Sequence, residues 1–422
     1  MHPPASGTPA APRPAPHPLV YTVLIAPFGA TLGFVSVALA FLATRDGLTV
    51  QQGAELIATG MLPNVWKFFW SPIGDTTLSR KRWYLLSCAV SAAGMFAMAA
   101  VPLGPATLRL MQAVILVTAV AATFLGFAVE AMVAHLTPPA DRGRVSGWFQ
   151  AGNLGGTGIG GGLGLWLLIN LPRGWQAGLV LAALTLACAA VLPWLPEVPA
   201  ESRGTSLPRA MRNVAADLWQ VARSRDGVLS AVLCFVPVGT GAAQGVLAQS
   251  VVAAHWGAGA GAVELVQGVL NGVVSMAGCL LGGYGCRFFG PRAAYAVFGA
   301  LMAAVTFAMA FAPATPAVYV VGNLGYAVVT GFCYAAFSAF VLDAIGAGNA
   351  ATKYNGYASL SNFPIWYMGL ALAAAETRLG PKGMLLTESA CGVLGIAVFA
   401  AAAAAWRARP VLGVPAAVPV AD

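Results

Sequence analysis

Long stretches without a charged residue dominate the chain. Residues 14–44, 83–108, 145–172, 174–196, 227–263, 265–286 and 354–375 contain no Asp, Glu, Lys or Arg. A helix crosses the hydrocarbon of a bilayer with about 20 apolar residues, so each run predicts a spanning helix. Pro313 and Pro316 divide the longer charge-free run 293–342 into two. Three more apolar segments carry an acid or base deep inside them: 51–73 with Lys67, 108–134 with Glu130, and 383–406 with Glu388. The run 227–263 predicts one span and an outer loop near His255. Together these segments predict an all-α membrane protein with twelve transmembrane helices.

Composition closes off the soluble alternative. The chain is 59% hydrophobic and 9% charged, whereas soluble domains are typically about a quarter charged. The bases between the spans then orient it, because Lys and Arg are enriched in cytoplasmic loops. With the N-terminus inside, sixteen bases lie inside and five outside, Lys67 being within a span. Both termini are therefore expected in the cytoplasm, with residues 45–50 and 376–382 in external loops. Arg45, Arg109, Arg173, Arg378 and Lys382 form the sparse outer set. The net charge of +8 reflects this topology and anionic lipid, and calls for no nucleic acid. Residues 1–18 read as a Pro- and Ala-rich disordered tail without the basic start of a cleaved signal. The seven cysteines form no CxxC pair and the four histidines are scattered, so neither a metal nor another cofactor is expected.

The longest internal polar segment, 196–226, reads as a cytoplasmic linker containing an amphipathic helix near 208–224. It divides the chain into six-helix halves, 19–195 and 227–408, with 409–422 as a C-terminal tail. The halves echo one another. Ser146, Gln150, Asn153 and Thr157 match Asn355, Ser359, Asn362 and Trp366 at a constant offset of 209. The spacing i, i+4, i+7, i+11 sets each group on one helical face. The loop Gly74 to Tyr84 matches Gly285 to Tyr295 at an offset of 211. Internal repeats of this kind build a central site between two halves, and a polar stripe is costly against lipid. Chance likeness between Gly- and Ala-rich helices is the competing explanation.

Further polar positions are candidates for a cavity wall: Asn64, Gln244, Gln249, Gln267, Asn271, Asn323, Tyr326, Thr330 and Tyr334. Ordinary interhelical hydrogen bonding would account for any one of them equally well. Eight glycines in 152–164 could be scanned as a phosphate loop, but both flanks are membrane helix. Repeats at every fourth residue, Gly152/Gly156/Gly160/Gly164, read instead as close helix packing, and Gly268/Gly272 and Gly278/Gly282 repeat the pattern in span eight. Lys67 stands eight residues before Asp75, about 12 Å along a helix at ~1.5 Å per residue. It either snorkels to the inner surface or meets an internal partner. Glu130 is the acid of the first half at comparable depth.

The turn Ser71 to Tyr84, with Asp75 followed by Arg80, Lys81 and Arg82, resembles the loop between spans two and three of the major facilitator superfamily. The resemblance implies two pseudosymmetric six-helix halves, alternating access, and a gate in which Asp75 faces the Arg80–Arg82 cluster, with Arg142 nearby. The Arg that follows the Asp in that family's loop is absent, and the second copy has Cys286 in place of Asp75. Leu62-Pro63-Asn64-Val65-Trp66-Lys67-Phe68-Phe69-Trp70-Ser71-Pro72 followed by Asp75 is similar to the span-two signature of the peptide/acetyl-coenzyme A transporter group, which includes muropeptide permeases of the AmpG type. Residues 350–362 are similar to that group's stretch before span eleven. The implied function is proton-coupled uptake, by a monomer in the bacterial inner membrane, of a polar organic solute such as a cell-wall sugar-peptide. Related carriers handle siderophores or acetyl-coenzyme A. Two rivals differ in class. A membrane enzyme would need a nucleophile or base cluster, and His135 and His255 are expected at opposite ends of the bilayer. A transport-inactive sensor would share the fold.

Overall fold

The computed structural model describes residues 16–39, 42–43, 46, 48, 50–198, 206–247, 250–259, 262, 265–345 and 350–407. Of the expected N-terminal tail only residues 16–18 are described, and the expected C-terminal tail, 409–422, and Gln249 lie outside the described residues. Everything regular among them is helix. Span one is Leu19–Gly33, continued by a π-helical turn, Phe34–Leu39. Spans two, three and four are Val50–Thr76, Arg80–Ala100 and Leu108–Leu136. Span five runs as Arg142–Gly158, widens into a π turn at Ile159–Leu163 and ends as Gly164–Asn170. Span six is Gly174–Ala187, tightening into a 3-10 stretch, Cys188–Trp194. The linker helix is Leu207–Arg223, with Met211 and Trp219 exposed.

In the second half, span seven is broken into Arg225–Phe235, Ala243–Leu247 and Ser250–His255. Span eight begins with a π turn, Val266–Leu270, and continues as Asn271–Phe289. Spans nine and ten are Pro291–Phe311 and Pro316–Ile345. Spans eleven and twelve share one long helical element, Ala350–Arg407, bent at Gly380 with φ 71°. The expected outer loop at 376–382 thus contracts to a kink. Gly380 adopts the left-handed conformation that favours glycine, and Pro381 starts the next helix as a first-turn residue.

Eight helical segments among the described residues are long and apolar enough to cross a bilayer on those grounds alone. The last of the eight divides at Gly380. Spans two, five and seven complete the twelve: two carries Glu55, Lys67 and Asp75, five is interrupted by its π turn, and seven by its break. The chain is a multi-pass membrane protein. Many large apolar side chains, among them Leu110, Val117, Trp194, Leu281, Phe288 and Val321, are exposed on its outside. That arrangement suits hydrocarbon, where an apolar surface carries no penalty.

Glycines set how closely the helices approach. A Cβ at Gly152, Gly156 or Gly160 would run into the backbone of Thr22, Ala26 or Ala30 of span one. On another face of span five, a Cβ at Gly158 would lie 2.7 Å from the Cα of Gly272, and one at Gly147 2.7 Å from the carbonyl oxygen of Cys279. Spans five and eight therefore meet backbone to backbone across the two halves. The repeat of the loop after spans two and eight reappears in three dimensions. Tyr84 of span three donates to the carbonyl of Leu24 in span one at 3.1 Å. Its counterpart Tyr295 of span nine donates to the carbonyl of Val238 in span seven at 2.6 Å.

Candidate functional site

The charges deep inside spans two and four come together. Lys67 Nζ lies 3.2 Å from Glu130 Oε1, with the two side chains 9% and 7% exposed. One turn along span two, Trp70 donates its indole N–H to Thr123 Oγ1 of span four at 3.1 Å, which fixes the register of the two helices. Lys67 is thus held inside the protein by an acid and does not snorkel. Breaking a buried pair of this kind by removing one member typically costs about 3–5 kcal/mol, since it strands the other charge. The second carboxylate oxygen, Glu130 Oε2, is buried without a protein hydrogen-bond partner.

The pair abuts a polar network that crosses between the halves. Gln150 of span five donates to Ser338 Oγ of span ten at 2.5 Å, and Ser338 shares a 2.6 Å bond with the Tyr354 hydroxyl of span eleven. Tyr354 is also within electrostatic range of Glu130. Asn153 donates to Gln150 Oε1 at 3.0 Å. Asn362 Nδ2 reaches the backbone carbonyl of Asn64 at 3.5 Å, joining span eleven to span two. Ser359 is half-buried and its hydroxyl has no protein partner. The two stripes therefore contribute to contacts between the halves, through Gln150 on one side and Asn362 on the other. Trp366 stands apart, 61% exposed and packed on the ring of Phe363 at 5.7 Å. Asn64 also lines a small cavity with Phe28, Thr31, Val35, Gly60 and Ala119.

The other cavity-wall candidates are dispersed. Asn271 accepts from Ser275 on its own helix at 3.0 Å, and Asn323 donates to the carbonyl of Tyr319 one turn back at 2.8 Å. These are local bonds that satisfy a polar side chain inside a span. Tyr334 is half-buried beside Ala151, Cys279 and Ala335. Gln244 sits in the short helix after the break in span seven. The side chain of Gln267 lies outside what the structure describes, as does that of Asp75. Tyr326 bonds a carboxylate on span twelve, Glu388.

The basic cluster after span two is tied within its own half. Arg80 is fully buried, donating to the carbonyl of Gly74 at 2.9 Å with its guanidinium over the ring of Phe127. Lys81 donates to the carbonyl of Leu195 at 2.6 Å, and Arg82 is exposed. Among the described residues an ion pair does join the halves, Arg142 with Asp343, 2.7 Å apart. Asp343 was not singled out from sequence. Its signal is its place as the first charge after the fifty-residue charge-free run, at the end of span ten. If this pair latches the base-rich end, Asp343→Arg should separate the halves there, and the double variant Arg142→Asp/Asp343→Arg should restore the closure. Double electron–electron resonance between labels on spans five and ten reads that distance. An unchanged distance in the single variant would rule the latch out.

The Major Facilitator Superfamily family model matches residues 19–374. No curated protein matches in sequence. Among solved structures, the human organic anion transporter MFSD10 (TETRAN) is 19% identical with a TM-score of 0.67, covering 92% of this chain and 100% of its own. The E. coli fucose:proton symporter FucP is 16% identical with a TM-score of 0.68, covering 93% and 98%. The proton:xylose symporter XylE, bound to 6-bromo-6-deoxy-D-glucose, is 13% identical with a TM-score of 0.65, covering 93% and 96%.

Proposed function

Because the chain belongs to the major facilitator superfamily, whose members are transporters, we propose that it is a secondary active transporter for a polar organic anion. The observation that carries this reading is the buried Lys67–Glu130 pair, set against a polar network that bridges the two halves. A cation at the interface of alternating halves can exchange one anionic partner for another. An entering carboxylate or phosphate would compete with Glu130 for Lys67, and Glu130, released from the pair, would take up a proton. Binding of the anion and of a proton then become linked events at adjacent side chains. Transport follows if the halves rock about the site only when both charges are compensated.

The substrate class that fits is an anionic conjugate with hydrogen-bonding groups, for which Gln150, Asn153, Ser359 and Asn362 supply donors and acceptors. The span-two signature around Lys67 favours a cell-wall sugar-peptide, taken up with protons by a monomer in the bacterial inner membrane with both termini cytoplasmic. Purified protein in proteoliposomes, screened for acidification-driven uptake of a labelled cell-wall sugar-peptide, a ferric siderophore and acetyl-coenzyme A, tests the reading. Uptake of the sugar-peptide supports it. Uptake of either other compound alone retains the carrier and changes its substrate. Saturable binding of all three without flux would identify a transport-inactive sensor.

A further inference from the structure

Glu388 is the third acid or base lying inside an apolar span, and the Lys67–Glu130 site does not use it. It belongs to span twelve and is 5% exposed. Tyr326 of span ten donates to its Oε1 at 2.5 Å, and its Oε2 is buried with no protein hydrogen-bond partner. Among the described residues no cation pairs with it. Facing it are Tyr326, the backbone amide of Ala243 in span seven, and, one turn along its own helix, Cys391. Span nine also packs on span twelve, but its Tyr295 hydroxyl is committed to Val238.

Tyr326 links this carboxyl group to the break in span seven. Its hydroxyl oxygen accepts from the Ala243 N–H at 3.3 Å, the first amide after the break. The break itself is a backbone detour through Val236, Pro237, Gly239 with φ 62° and Gly241 with φ 71°. Backbone that leaves its helix inside a membrane must find other partners. Here tyrosines supply them. Tyr367 donates to Phe235, Tyr295 to Val238 and Tyr319 to Leu247, carbonyls at or beside the interruptions of span seven, while Tyr357 donates to Gly227 in its first turn. Tyr326 is itself bonded to an ionisable group, Glu388.

We propose that Glu388 is a proton-binding site of the second half, and that its proton releases the break in span seven through Tyr326. A proton from the aqueous phase adds to Oε2. Oε1 then loses its share of the negative charge, and the Tyr326 bond changes from charge-assisted to neutral. Charge-assisted bonds are roughly twice as strong as neutral ones. Because bonds in a chain polarise one another, the Tyr326 oxygen also becomes a poorer acceptor for the Ala243 N–H. The hinge is clamped when Glu388 is a carboxylate and loosened when it is an acid. No bond other than the new O–H is made.

The inference rests on the reading of the chain as an alternating-access carrier only for the purpose of the hinge. The protonation is tested without any substrate, by infrared difference spectra of the full-length protein in nanodiscs stepped from mildly alkaline to mildly acidic buffer. A carboxylic C=O band should appear, should vanish in Glu388→Gln, and should persist in Glu130→Gln. In Tyr326→Phe the band should move in frequency, because its acceptor oxygen has lost a donor. The hinge is read by a spin label on Gly245→Cys, a position with open space around it, with the partly exposed Cys188 and Cys391 replaced by Ala. Its mobility should rise on acidification, and the rise should be absent in Tyr326→Phe. No band removed by Glu388→Gln in folded protein would overturn the proposal. Should that variant not fold, a band whose frequency is the same in Tyr326→Phe as in the native protein would overturn it as well. A band that behaves as expected with a label indifferent to pH would overturn the hinge. Failure of uptake in the proteoliposome assay leaves both readouts unaffected.

Discussion

Lys67→Gln is expected to abolish uptake in proteoliposomes while leaving the protein folded and inserted. Glutamine keeps length and hydrogen-bonding capacity but removes the charge that offsets Glu130 at 3.2 Å. With its partner gone, a carboxylate buried to this extent no longer has a compensating cation. The site of the variant then offers no cation to an entering anion. The double variant Lys67→Gln/Glu130→Gln separates stability from function. It removes both buried charges at once, so it should melt at or above the temperature of Lys67→Gln yet remain inactive. Uptake of the labelled sugar-peptide at several pH values, with melting followed in the same preparations, measures both. Full uptake by Lys67→Gln with an unaltered pH profile would show that the pair is structural.

The sequence made the broad fold legible because the hydrocarbon imposes one simple demand, about twenty residues without charge. Spans three, four, six, nine and ten obey it directly. Elements that do not were harder to place. The break in span seven is invisible to a count of charges, since Val236 to Ala242 are as apolar as their flanks; only Pro237, Gly239 and Gly241 hint at it. The turn at Gly380 was read as a loop because Glu376, Arg378 and Lys382 look like one. Of the site, Lys67 and Glu130 were readable as charges at matched depth in neighbouring helices. The Arg142–Asp343 pair was half-readable. Each residue lies at a span end, where charges are ordinary, so their meeting across the halves depends on packing that no local pattern encodes. The same holds for the network through Ser338 and Tyr354, whose members are unremarkable polar residues until spans five, ten and eleven converge.

Gly156→Leu and Gly272→Leu should fail in different ways, although both insert an apolar side chain where the backbones nearly touch. Gly156 faces Ala26 of span one inside the first half. A Cβ there meets the Ala26 carbonyl, and span one has no room to retreat because Gly152 and Gly160 hold it against span five on either side. Overpacking commonly costs about 1–3 kcal/mol even when side chains can adjust. Here main chain meets main chain along three turns, so the expected result is little or no folded protein in detergent by size-exclusion chromatography. Gly272 faces Gly158 across the two halves, a Cβ at 272 lying 2.5 Å from the Gly158 Cα. If the chain works by the alternating access proposed above, that contact joins bodies that move relative to one another, and the strain can be relieved by parting spans five and eight. Gly272→Leu should therefore yield folded protein, with a longer distance between labels on the adjacent ends of those two spans and uptake reduced at least tenfold. If Gly156→Leu proves as well folded as Gly272→Leu, or if Gly272→Leu leaves both distance and uptake unchanged, the division into a rigid contact within one half and a yielding contact between halves is wrong.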